Sequence, residues 1–116
     1  MNKSLMFVAL LCCSFIVISK PVYTADELHD MVLSGTNPET LNSHLVYDST
    51  GVVTFNKCVS TMRKLLSDLG GYPSVIERNS FGVFRAKLWA SDGLYELNCV
   101  EANDSVIAEQ YKAEYK

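Results

Sequence analysis

The chain reads as an α+β domain: two helices packed on a three- to four-stranded antiparallel sheet, with one disulfide, Cys58–Cys99. Three observations predict this. Residues 55–69 place apolar side chains at helical spacing. Residues 83–100 alternate apolar and polar side chains around a turn signal, as a β-hairpin does. Each of the two stretches carries one cysteine on its apolar side. These observations say how the chain is built and leave its activity open.

A chain of 116 residues has room for one domain. The first 19 residues read as a secretory signal peptide, which leaves a single domain over 23–116. Met1-Asn2-Lys3-Ser4 is a short, positively charged start, and residues 5–19 then run without a charge up to Lys20-Pro21. As a helix that run rises only about 22 Å, short of a hydrocarbon core of roughly 30 Å, so it suits a cleaved leader better than a membrane anchor. Membrane attachment is expected only if the leader stays uncut. Cleavage is expected at roughly residues 19–22, before Tyr23, because a cut after Ala25 would remove the cap of the first helix. Cys12 and Cys13 follow large residues or a thiol, where lipid-attachment signals have a small one. The expected address is therefore the periplasm or the exterior.

Removing the leader simplifies the cysteines. Cys58 and Cys99 alone remain, so one intramolecular pairing is available, in a compartment that permits it. Closing a loop of about 40 residues contributes on the order of 4 kcal/mol in the chain-entropy picture. No Cys-x-x-Cys occurs after the leader, so the pair reads as structural. The charge balance excludes a partner class. All 13 acidic residues follow Lys20, and nine of the ten basic residues remain once Lys3 is lost, for a net charge of −4. A mildly acidic domain without a Lys/Arg cluster is not built for a phosphate backbone, and no nucleic acid partner is expected.

The elements follow in order. Thr24-Ala25-Asp26-Glu27 is a capping box, with Tyr23 and Leu28 placed as a hydrophobic staple. Leu28, Met31 and Val32 form the stripe of a helix over 25–34, which Gly35 stops. Residues 36–53 have little pattern and read as a solvent-facing loop, with Leu45-Val46-Tyr47 and Val52-Val53 as short extended pieces. Phe55, Cys58, Val59, Met62, Leu65, Leu66 and Leu69 share one face of the second helix, which ends at Gly70-Gly71. Residues 73–79 read as a strand and 79–82 as its turn.

Asp92-Gly93 is the hairpin signal. With those two residues as the loop, Ser91 faces Leu94, Ala90 faces Tyr95, Leu88 faces Leu97 and Ala86 faces Cys99. Phe84, Ala86, Leu88 and Ala90 then share a face with Tyr95, Leu97 and Cys99, while Arg85, Lys87, Trp89, Glu96 and Asn98 take the other. Residues 106–109 read as a short strand after an Ala102-Asn103-Asp104 turn. A frayed tail is expected beyond it, with a helix over 108–116 as the alternative that the Ala, Glu, Gln and Lys composition suits.

Chemistry-bearing patterns are few. His29 and His44 are the histidines. Their spacing from Asp26, Glu27, Asp30 and Asp48 makes no ligand set, so no metal or cofactor is expected. No Gly-x-Ser-x-Gly occurs, and no catalytic residue is assigned. The candidate contact surface is Trp89 with Lys87 and Glu96 on the polar face of the hairpin, together with His44 in the loop; the alternative for Trp89 is a cover from the first helix or the 36–53 loop. The expected function is a non-enzymatic module that binds a protein partner. The alternative is a small hydrolase-like enzyme with its site in residues 36–53.

Tyr23-Thr24-Ala25-Asp26-Glu27-Leu28, Met31-Val32 with Ser34-Gly35, Phe55-x-x-Cys58, and Leu88-Trp89-x-x-Asp92 followed by Cys99 resemble a group of small exported proteins of Gram-negative bacteria, some of them encoded on plasmids or mobile elements. The resemblance spans most of 23–99 and carries no site residue. It implies a periplasmic address and, where such genes lie beside conjugation genes, a part in transfer or in effects on the host. Mass spectrometry of the exported protein is expected to show a chain lacking residues 1–19 that gains two hydrogens on reduction. A mass retaining the leader, or a free thiol at Cys58, overturns this reading.

Overall fold

The structure is a computed structural model that describes residues 21–51 and 54–116, so the expected leader and the extended reading of Val52-Val53 lie outside the described residues. Helix α1, Ala25–Leu33, begins as its sequence dictates. Thr24 Oγ1 accepts from the Glu27 amide at 3.2 Å, and the Glu27 carboxylate accepts from the Thr24 amide at 2.9 Å. Those hydrogen bonds hold the Glu27 carboxyl below its ordinary pKa. At the other end Gly35 takes φ +77°, the left-handed conformation that ends a helix cheaply only at glycine.

Strand β1, His44–Gly51, precedes helix α2, Phe55–Asp68, which Thr54 caps through the Lys57 amide at 3.1 Å. Four strands follow: β2, Ser74–Ser80; β3, Val83–Ala90; β4, Gly93–Ala102; and β5, Ser105–Ala113. The sheet is five-stranded in the order β1-β5-β4-β3-β2, antiparallel throughout. Strands β2 to β5 form a meander, and β1 reaches across to cover the free side of β5.

This corrects the expected strand count of three to four. The added strand arises in the stretch read as a loop. Its side chains are all exposed or half-exposed, so no apolar alternation marks it in the sequence. Its order comes from pairing with β5.

The faces of the hairpin sort as expected, although the register differs. Ala90 pairs with Gly93, Leu88 with Tyr95 and Phe84 with Cys99. Ser91-Asp92 is therefore the loop. The shift moves each partner by two residues, which leaves every side chain on its expected face. Gly93 belongs to the strand and is needed there because a Cβ would come within 2.8 Å of the Ala113 carbonyl oxygen. The β4–β5 loop puts Asn103 and Asp104 at φ 49° and 64°, the mirror-image turn whose twist matches the strands it joins.

The two helices lie on opposite faces of the sheet. Helix α2 covers one face, burying Cys58 and Met62 against Phe84, Ala86, Leu97, Cys99, Val106 and Ala108. The Cys58–Cys99 disulfide links it to β4, the central strand. Helix α1 covers one end of the other face, where Leu28, Trp89 and Tyr115 form a second core.

The tail is ordered, which corrects the expectation of fraying. Strand β5 runs on to Ala113, Thr40 bridges Tyr115, and Tyr115 is 1% exposed. The helix-favouring composition of 108–116 yields to pairing on both sides of β5 and to the Tyr115 ring packing edge-on against Tyr23 at 5.0 Å. The Tyr115 hydroxyl donates to the Ala90 carbonyl at 2.6 Å. Its burial, then the Asp92 charge, push its pKa well above the usual phenol range. Tyr115→Phe removes that bond and is expected to cost about 0.5–1.5 kcal/mol in denaturant unfolding. An unchanged midpoint would show that the bond contributes nothing.

Candidate functional site

The four residues expected to form a contact surface do not converge. Trp89 does lie on the face away from α2, but it is 6% exposed, covered by Leu28 and Tyr115. This corrects its reading as a contact residue: α1 folds over that end of the sheet and uses the indole as core. Lys87 and Glu96 sit opposite each other on β3 and β4, half-buried. The Lys87 ammonium pairs instead with Glu77 of β2 at 3.4 Å. His44 is exposed at the start of β1, opposite Lys112, on the far edge of the sheet.

The arrangement around 36–53 bears on catalysis. His44 pairs with Lys112 and Asp48 with Glu109, positions three apart on β5 that emerge on opposite faces. The one histidine and the one carboxylate of β1 therefore do not meet. His29 serves the fold: its Nε2 lies 3.0 Å from the Gly71 carbonyl and ties α1 to the end of the α2 connection. Among the described residues, no group of three histidines, cysteines or carboxylates is placed to hold a metal ion. Nor is any helix among them long and apolar enough to cross a membrane.

Two surfaces stand out instead. Helix α2 covers the middle of its face and leaves β1 bare. The resulting groove, about 230 Å³, is lined by Tyr47, Ser49, Lys57, Thr61, Met62 and Gln110. Tyr47 in that lining and its neighbours Leu45 and Val46 are each about half exposed on an edge strand. Three consecutive apolar residues span both faces of a strand, and here the bulge between Leu45 and Tyr47 keeps them at the edge. The sequence shows this run. What it hides is that the run lines an edge beside a groove.

The second surface is the face of the sheet beyond α1. Its charges separate along one row: Arg78 and Arg85 on β2 and β3, Asn98 on β4, then Glu109 and Asp48 on β5 and β1. Sequence reasoning missed this row because it needs the register of all five strands. Phe81, at the tip of β2–β3, was also missed. An aromatic inside a turn is the signal that marks it.

No family model matches the chain, and neither the curated proteins nor the solved structures give a match.

One ion pair supports the β3–β4 loop. Burial pushes the Asp92 carboxyl up, but the Lys112 ammonium at 2.8 Å more than offsets this and holds it below its ordinary value. The same hydrogen bond raises Lys112. A depressed carboxyl stabilises the fold above its unfolded pKa of about 4, and the contribution fades as pH falls through the lower folded value. Asp92→Asn is thus expected to cost about 0.5 kcal/mol at pH 7, a solvent-screened amount, and almost nothing at pH 2. Unfolding curves at the two pH values check this; an equal loss at both removes the electrostatic explanation.

Proposed function

We propose that the protein is an exported, non-enzymatic interaction module of the bacterial envelope, accessory to plasmid transfer or to effects on the host, and that it binds a protein partner along the β1 edge and the groove beside α2. One observation carries the reading: Tyr47 lines that groove while half exposed on an edge strand, with Leu45 and Val46 half exposed beside it in the chain. Side chains of this kind are anchors for a partner, since their burial on binding supplies most of the driving force. A strand edge adds unpaired amides and carbonyls. The disulfide is compatible with an oxidising, exported location. The separation of His44 from Asp48 across the sheet speaks for binding over a hydrolase site in 36–53.

A photoreactive phenylalanine analogue placed at Tyr47 in the exported chain tests this. A discrete protein adduct is expected that Val46→Glu weakens at least five-fold. The same probe at Leu33, an exposed apolar residue of α1, is expected to give none. Identical adducts at 33 and 47, or none at 47, sink the proposal.

A further inference from the structure

A second anomaly lies at the opposite edge of the sheet. The β2–β3 loop is Phe81-Gly82, and Phe81 is 100% exposed. Gly82 supplies the positive φ, +81°, that the turn needs. Position 81 then has no requirement that favours an aromatic, and a small polar residue would serve the turn as well.

Just behind it, Arg78 and Arg85 pair directly across β2 and β3, both exposed. Like charges in that relation weaken a sheet. Neither arginine meets a carboxylate among the described residues. Arg78 Nε donates to Ser80 Oγ at 3.0 Å, and the neighbouring Glu77 is engaged by Lys87. Two guanidinium forks with unused donors therefore stand side by side behind a bare phenyl ring. Beside the ring, a hollow of about 290 Å³ opens between Thr54, Asn56, Gly82 and Glu101.

We propose that this hairpin tip docks a protein partner that offers an apolar socket rimmed by carboxylates, with Phe81 filling the socket and Arg78 and Arg85 each taking a carboxylate. Aromatic residues and arginine are the side chains most enriched where interfaces hold their energy, and the planar guanidinium matches a carboxylate in two parallel hydrogen bonds. Both local costs, the exposed ring and the opposed charges, are relieved by one such partner. An anionic membrane fits less well. Glu101 and Asp104 lie on the β4–β5 side of the same end of the sheet, where Glu101 donates its amide to the Gly82 carbonyl at 2.9 Å, and they repel lipid phosphates. One ring also inserts too little apolar surface to hold a protein on a bilayer. This surface goes beyond the β1 reading and stands independently of it, four strand spacings away across the sheet.

The test places a benzoyl-phenylalanine, which keeps the phenyl ring and extends it with a photoreactive ketone, at position 81 of the full exported chain, where the side chain is fully exposed, and irradiates intact cells. A protein adduct is expected whose cross-linked peptide contains at least two Asp or Glu residues. Arg78→Glu with Arg85→Glu is expected to lower its yield ten-fold or more, while Arg78→Lys with Arg85→Lys retains a third or more. Reduced and non-reduced gel mobility of each variant reports the disulfide and so confirms folding. No adduct, an adduct with lipid, an adduct with a second copy of the chain, or a yield insensitive to charge reversal overturns the proposal. Because the probes at 47 and 81 are read separately, failure of one does not decide the other.

Discussion

The covalent bond between Cys58 and Cys99 fixes how the rest of the molecule can be arranged. Helix α2 is 14 residues long, yet only Cys58 and Met62 on it are fully buried. Its remaining apolar residues, among them Leu65 and Leu66, are half covered. Such a helix gains little from burial alone. Its bond ends in Cys99, which is 0% exposed on the central strand, and removing the link frees a 41-residue separation in the unfolded chain. That is worth roughly 4 kcal/mol in the chain-entropy account, a large share of the stability of a domain this size. With α2 held over β3, β4 and β5, the β1 side of that face stays open, and the groove follows.

The second core works without a covalent link. It is assembled from residues far apart in sequence: Tyr23 and Leu28 near one end, Trp89 and Leu94 in the middle, and Tyr115 at the other end. Hydrogen bonds draw these pieces in, from the Tyr23 amide to the Ser91 carbonyl at 3.1 Å and from the Trp89 amide to the Pro73 carbonyl at 3.0 Å. Each face of the sheet thus has one helix, and the uncovered parts of both faces carry the candidate contact residues. Both edge strands bear a bulge, at Val46 in β1 and at Glu77 in β2. Bulges turn an edge away from indiscriminate pairing, so addition to this sheet requires a fitted partner.

What could be read from the sequence was local or depended on parity. The capping box at Thr24 and Glu27 involves neighbours in the chain. The apolar stripe through Cys58 and Met62 needs one helical period. Cys99 was placed on the α2 face despite a register two residues out, because such a shift preserves which side each residue takes. What escaped was set by distant segments. Strand β1 has no buried side chain to produce alternation, and its order comes from β5, more than fifty residues later. Trp89 read either as a contact residue or as covered by the first helix or the 36–53 loop, because nothing near it in sequence decides whether α1 lies above it. The groove and the opposed arginines needed the order and register of the whole sheet, to which no single stretch of sequence has access.

The Tyr115 anchor has a consequence for how the protein comes into being. The first helix of the described chain finds its core partners at positions 89, 94 and 115. That core cannot close until residue 115 has been made, and strand β1 likewise waits for β5. Both cores of the sheet therefore depend on the stretch 105–115, and neither is complete on a shorter piece of the chain. Until that stretch is present, Trp89 lacks the ring that covers it and β1 lacks the strand it pairs with, so the polypeptide up to that point is an unfinished sheet with exposed apolar surface.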